Sequence, residues 1–313
     1  MSTKKQYESA MGGTELMAAR IQNDCDPELL EQFQIIHSRV RELDDTKKKI
    51  LVLHDLATDP EVQHLANEGW RKFDKLVFVS HWQQEQYFMY LGVPYSAGTV
   101  LYNAIEPIPL HIKPDPKDDK LRIVYFSTPH RGLDYLYAAF NQLSTEHKNL
   151  HLDVYSSFDL YGWGERDKDY EDLFKLLHGH PNITYHKSIS NDEIREVLQK
   201  SHIFAYPSVW QETSCLCLIE ALSAGCYCVH SALGALKETS LGLSQMYPFI
   251  DNKQQHVDTF YAELKKAIMI HEFNFDYVRS NTETTKVIAD YKYDWNTRKE
   301  DWNKLMRLIL KGG

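Results

Sequence analysis

Short apolar runs, bounded by polar and glycine-bearing turns, recur along the chain. Residues 33–36, 50–53, 76–79 and 99–102 read as strands with helical stretches between some of them, an alternation that predicts a small parallel sheet. Pro107, Pro109, Pro114 and Pro116, mixed with Lys113, Asp115, Lys117 and Asp118, then mark a linker. Beyond it, residues 121–126, 150–155, 183–190, 203–206 and 226–230 read as further strands. Between the last two lies one helix, about residues 214–224, apolar almost all round and stopped by Gly225. The tail, residues 293–309, is amphipathic. This α/β pattern divides into an N-terminal domain (1–108), a linker (109–119), a second domain (120–292) and a C-terminal helix (293–313).

Composition narrows the class. A chain of 313 residues with 43% hydrophobic and 25% charged residues is long enough for two domains with proper cores. The net charge of −9 argues against wrapping nucleic acid. No apolar run approaches the roughly 18 to 20 residues that span a bilayer, which leaves peripheral contact as the only kind of membrane association expected. The polar start Met1-Ser2-Thr3-Lys4-Lys5-Gln6 is not a secretion signal, so the expected location is cytoplasmic. Cys215, Cys217, Cys226 and Cys228 form two Cys-x-Cys pairs, one on a helix and one on a strand. Four such ligands do not converge easily, and they read as small buried hydrophobes rather than a metal site.

Candidate chemistry concentrates at Glu212 and Glu220, eight positions apart. Glu220 is the only charge on its apolar helix, where a carboxylate is costly unless donors satisfy it, as a pair of ligand hydroxyls or an Arg or Lys would. Glu212 stands in the loop before that helix, at the carboxyl end of a strand, where open α/β sheets hold ligands. The backbone N–H groups of Thr213, Ser214 and Cys215 favour an anion there. Gly12-Gly13 permits close backbone approach at the start of a helix. His54-Asp55 follows a strand, and a His in that position can reach a cleft. Ser80 reads as a helix cap, and the polar excursion at residues 161–167 as a surface loop.

With its Pro207-Ser208 turn and the Ala221-Leu222-Ser223-Ala224-Gly225 helix end, this stretch resembles the retaining glycosyltransferases of the GT-B fold that carry a Glu-x7-Glu motif. The resemblance implies two Rossmann-like domains facing a cleft. It implies that Glu212 and the amides of Thr213, Ser214, Cys215 and Leu216 hold the donor sugar and phosphates, and that Glu220 grips the ribose. Gly13 would face the cleft with the donor; Gly12, Thr14 and Asp55 would lie on the acceptor side, and His54 beside the reacting sugar. Arg131-Gly132-Leu133 matches the family's Lys-Gly-Leu element, while the earlier family Arg is missing, with Ser127 and Thr128 in its region. Phosphate binding is therefore expected to lean on those hydroxyls, on Arg131 or on Lys187, and the loop bearing Ile189 is the expected nucleotide-base region. Residues 1–10 are too polar for the family's first strand, so the N-terminal domain is expected to be trimmed there.

The function so implied is metal-independent transfer of a sugar, with retention, from a UDP- or GDP-linked donor to a glycan or other hydroxyl acceptor, with no further cofactor and no nucleic-acid partner. The departing diphosphate itself would take the acceptor proton. The alternatives are an epimerase or glycan phosphorylase on the same fold, a non-catalytic sugar-nucleotide-binding protein, and a transferase acting on modified DNA, which the acidic charge disfavours.

Overall fold

The computed structural model of the protein describes residues 12–312. The expectation about residues 1–10 lies outside that range. Two wholly parallel sheets organise the chain. The first runs β1 (Phe33–His37), β2 (Lys48–Leu53), β3 (Lys75–Phe78), β4 (Gly98–Val100) in that spatial order. The second contains β5 (Leu121–Phe126), β6 (Leu150–Tyr155), β7 (Ile183–His186), β8 (Ile203–Tyr206), β9 (Tyr227–Ser231) and β10 (Gln245–Tyr247), in the order β10-β9-β8-β5-β6-β7. Their short apolar runs are what a strand covered on both faces requires; β8 is buried at every position. Strand order reverses between β5 and β8, so the crevice beyond their carboxyl ends is the natural ligand position.

Helices supply the cover. The first domain contributes α1 (Gly13–Asp24), α2 (Pro27–Leu30) and α3 (His81–Leu91). The second contributes α4 (Leu133–Glu146), α5 (Glu171–Gly179), α6 (Asn191–Lys200), α7 (Leu216–Ser223), α8 (Leu236–Thr239), α9 (Lys253–Phe273) and α10 (Phe275–Tyr293). The tail is α11 (Trp295–Leu310). Helix α7 is shorter than the apolar run at 214–224 suggests. It ends because Gly225 takes φ +67°, and Cys226 N–H returns to Ala221 C=O at 2.9 Å.

One apolar cluster spans both domains, with Leu16, Met17 and Ile21 of α1 inserted into it, and a second, around Leu51, Phe78 and Tyr87, lies within the first domain. Helix α11 packs on α1 and α2: Trp295 Nε1 donates to Asp24 at 2.6 Å, and Asn303 Oδ1 accepts from Asp26 N–H at 3.0 Å. Ile105 and Asp294 form a parallel bridge closed by Trp295 N–H to Ile105 C=O at 2.8 Å. All five cysteines are free, and among the described residues no group of three or more His, Cys, Asp or Glu is arranged to hold a metal. No helix among them is long and apolar enough to cross a membrane.

Besides His256, which bonds Tyr247 OH and Ile250 C=O, three histidines are sealed inside the second domain. His202 accepts from Arg122 N–H at 3.1 Å and donates to Pro114 C=O, His230 bonds Ser231 C=O and Ser244, and His271 donates to Ala267 C=O at 2.6 Å. Burial pushes their pKa values down, to about 4, about 4 and about 3 respectively. The unfolded chain therefore binds more protons than the folded one below the ordinary imidazole value. This contribution to stability is complete above that value and is lost as pH falls toward the folded values. The melting temperature should fall steadily from pH 7 to pH 5, each of the three costing roughly 1–2 kcal/mol at the lower end. A flat profile over that interval would contradict the buried neutral assignment.

Candidate functional site

The carboxyl ends of both sheets border one cleft with about 1060 Å³ of space, including its open mouth. Of the residues singled out from the sequence, it is lined by Gly12, Gly13, Thr14, His54, Arg131, Ile189, Glu212, Thr213, Ser214, Cys215, Leu216 and Glu220. Asp55 and Lys187 are not among its lining. Lys187 is exposed, and Asp55 is half-buried, with its backbone oxygen bonded by Gln83 Nε2 and Tyr87 OH.

At the cleft floor Glu212 is only 5% exposed. Its Oε1 takes two hydrogen bonds, from Arg131 Nη1 and from Tyr206 OH, both at 2.5 Å. Arg131 arrives on the turn after β5, and Tyr206 closes β8. The candidate phosphate cation and the candidate sugar-binding carboxylate are thus partners of each other. Burial works against the charge on Arg131, but Glu212 and Tyr206 outweigh it and hold its pKa well above the ordinary value. The Glu212 backbone is fixed as well: it bridges Gly234, and Ala235 N–H bonds its carbonyl at 2.7 Å. Gly234 has φ +62°, and a Cβ there would lie 2.5 Å from Glu212 O, so only glycine fits.

Helix α7 begins at the cleft with no side chain capping it, leaving the first-turn amides of residues that line the site to serve a ligand. Glu220, on the same helix and 4% exposed, has Arg195 Nη1 at 4.0 Å. Burial pushes its carboxyl pKa up, with Arg195 and Arg20 pulling the other way.

On the opposite wall Gly13 starts α1, and a Cβ on it would meet Leu216 Cδ1 at 3.2 Å, so the glycine turn and the start of α7 nearly touch across the cleft. His54 stacks on His37, ring centroids 5.8 Å apart, and its Nε2 is buried without a partner among the described residues. Burial first, then His37, lowers its pKa to about 3, so the imidazole is neutral at physiological pH. Thr213 Oγ1 donates to His54 C=O at 2.8 Å, and Ser80 Oγ donates to Thr213 C=O at 2.7 Å. Ser80 caps α3, as its sequence position implies, and also ties the two domains together.

The sequence reading misses four contributors: Tyr206, Gly234, Glu238 and Tyr161. Glu238 accepts from His81 and Trp82 N–H, both at 2.9 Å, and so caps α3 from the other domain. Tyr161 corrects the surface-loop reading of residues 161–167, since it lines the cleft. Only Gly234 had a visible signal, a glycine just after an apolar strand.

With this geometry in view, residues 110–240 match the family described as Glycosyl transferases group 1. The match covers 131 of the 313 residues and includes the whole Glu212–Glu220 stretch. The whole fold is GT-B: a glycosyltransferase structure from Rickettsia africae ESF-5 superposes with TM-score 0.67 at 13% identity, covering 100% of this chain and 84% of that one. Sucrose-phosphate synthase from Thermosynechococcus elongatus gives TM-score 0.66 at 14% identity, covering 85% and 69%. Over 168 residues the chain is 24% identical to the phosphatidylinositol N-acetylglucosaminyltransferase gpi3 subunit of Schizosaccharomyces pombe, which is 52% of this chain and 35% of that protein. A phosphatidylinositol N-acetylglucosaminyltransferase subunit from Homo sapiens gives 23% over 165 residues, 52% and 33%. The matched part thus spans about a third of these curated relatives.

The Arg131–Glu212 pair joins the turn after β5 to the loop before α7 at the cleft floor. Arg131→Met strands a buried carboxylate and should destabilise the protein by about 3 kcal/mol, while Arg131→Met with Glu212→Gln together should recover most of that loss. Denaturant unfolding of the single and double variants reads this out. Equal stability of all three proteins would contradict the pairing.

Proposed function

We propose that the chain transfers a sugar from a nucleotide-sugar donor to an acceptor hydroxyl with retention of configuration and without a metal ion. The observation that carries this reading is the convergence, on one cleft between two GT-B domains, of the uncapped start of α7, the Arg131–Glu212–Tyr206 network, Glu220 and the Gly12-Gly13 turn. In this reading the diphosphate lies over the α7 amides, which supply partial positive charge without a divalent ion. The Glu220 carboxylate accepts from the ribose hydroxyls. Glu212, held still by Arg131 and Tyr206, orients the sugar.

The reaction then needs mainly position and electrostatics. As the bond to the leaving diphosphate stretches, positive charge develops on the sugar ring, and the departing phosphate oxygen takes the acceptor proton on the same face. His54 acts as a neutral hydrogen-bonding group beside the sugar, because an imidazole whose pKa lies near 3 is no acid reserve at pH 7. Domain contacts at Thr213, Ser80 and Glu238 keep the walls together and exclude competing water.

The similarity to phosphatidylinositol N-acetylglucosaminyltransferases makes UDP-linked N-acetylglucosamine and phosphatidylinositol the first pair to assay, with GDP-linked sugars and glycan acceptors after them. Cytoplasmic location and a peripheral approach to any lipid acceptor belong to the same proposal. A second reading, a sugar-nucleotide-binding protein without turnover, has one observation in its favour: the cleft's lining cation, Arg131, is already paired.

Incubation with the donor panel in the presence of chelator should yield transfer or slow donor hydrolysis with the anomeric configuration kept. His54→Ala should lower turnover about tenfold or more with nucleotide affinity nearly unchanged. Binding without any turnover supports the second reading, activity that returns only with Mg²⁺ or Mn²⁺ defeats metal independence, and full turnover by the His54 variant removes His54 from the site.

A further inference from the structure

We infer that the Tyr161 hydroxyl is a ligand for the donor diphosphate, a neutral hydrogen-bond donor where the described residues of the cleft include no spare cation. The inference rests on the nucleotide-sugar reading above and goes beyond it by naming a residue outside the glutamate motif.

The charged side chains lining the cleft are Arg131, Glu212 and Glu220, so the lining carries more negative than positive charge. Arg131 is already bonded to Glu212, and Lys187 lies outside the lining. A diphosphate bound there depends on the amides at the start of α7 and on uncharged donors. Two hydroxyls of the lining are spoken for: Thr213 donates to His54 C=O, and Ser157 donates to Asp167. Tyr161 is one of the lining hydroxyls, with Thr14, Ser127, Tyr155, Ser188 and Ser214, that no hydrogen bond reaches among the described residues, and its ring also spans to the glycine turn.

Its position fits a donor: burial, the largest influence on the phenol, keeps it protonated against the pull of Arg131. From the second domain its ring reaches across to the glycine turn: a Cβ on Gly12 would lie 2.5 Å from Tyr161 Cε1. A residue other than glycine there would collide with the ring.

The loop is built to deliver this side chain. Asp167 takes hydrogen bonds from Ser157 Oγ at 2.5 Å and Phe158 N–H at 2.8 Å. Trp163 N–H returns to Phe158 C=O at 3.1 Å, across Gly162 at φ +70°. His130, next to Arg131, stacks on Phe158 at 5.2 Å and 13°, which couples the loop to the turn that carries the guanidinium. Tyr161 itself packs against Trp163, ring centroids 5.3 Å apart and planes tilted by 38°. Such fixing lowers the ordering cost of a contact made on binding.

Titration calorimetry with UDP, GDP, UMP and GMP, on the wild-type chain and Tyr161→Phe, tests this. The variant keeps the ring and loses a hydroxyl without a protein partner, so its melting temperature should match the wild type. It should bind the preferred diphosphate about tenfold more weakly and the matching monophosphate almost unchanged. Equal diphosphate affinity of variant and wild type overturns the assignment, as does an equal loss on mono- and diphosphate, which would put Tyr161 on the nucleoside. A wild type that binds none of the four overturns the nucleotide-sugar reading itself, an outcome separate from failure of the variant alone.

Discussion

A carboxylate taken out of water must be neutralised and hydrogen-bonded, and at Glu212 this chain does both through one oxygen, Oε1. Three loops converge to satisfy it: the turn after β5 brings Arg131, the end of β8 brings Tyr206, and the turn after β9 grips its backbone through Gly234 and Ala235. This convergence is available only because β5 and β8 are neighbours at the point where strand order reverses. With Glu212 fixed, the segment that follows it runs directly into α7, whose first amides are left for a ligand rather than a side-chain cap. The same carboxylate therefore shapes the site and holds the loops that form it.

Next to this pair, Thr213 carries the arrangement across to the other domain. Its hydroxyl and its carbonyl bond His54 and Ser80, and Glu238 caps α3 from the second domain. Further away, α11 returns to pack on α1 and α2, and Ile105 pairs with Asp294. These contacts fix the register between the glycine turn of α1 and the start of α7, so the cleft is a property of both domains together. The proposed transfer depends on that register, because its donor, held by one wall, must present a sugar to an acceptor on the other.

Much of this was legible in the sequence where local chemistry is decisive. The apolar strand β8, the largely apolar β5, the alternating β6, the Gly225 stop and the isolated Glu220 each identify themselves within a few residues. The partner of Glu212 does not, since Arg131 lies 81 positions away and only the sheet order brings them together. Tyr161 sits in a polar stretch with glycines that reads as surface, and what turns it inward is a set of loop hydrogen bonds to Asp167 without a periodic signature. Lys187 shows the opposite failure, a cation at a plausible strand end whose side chain stays in solvent. Helices α9 and α10 and the three-residue β10 went unassigned because their apolar positions are diluted by polar ones, and packing rather than pattern defines them.

The central claim is that a nucleoside diphosphate binds between the start of α7 and the glycine turn. A crystal structure of the protein soaked with UDP or GDP addresses it directly. The account predicts the phosphates within hydrogen-bond distance of the α7 first-turn amides, and the ribose hydroxyls on Glu220. A nucleotide bound elsewhere, or one in this cleft with its ribose away from Glu220, would contradict it.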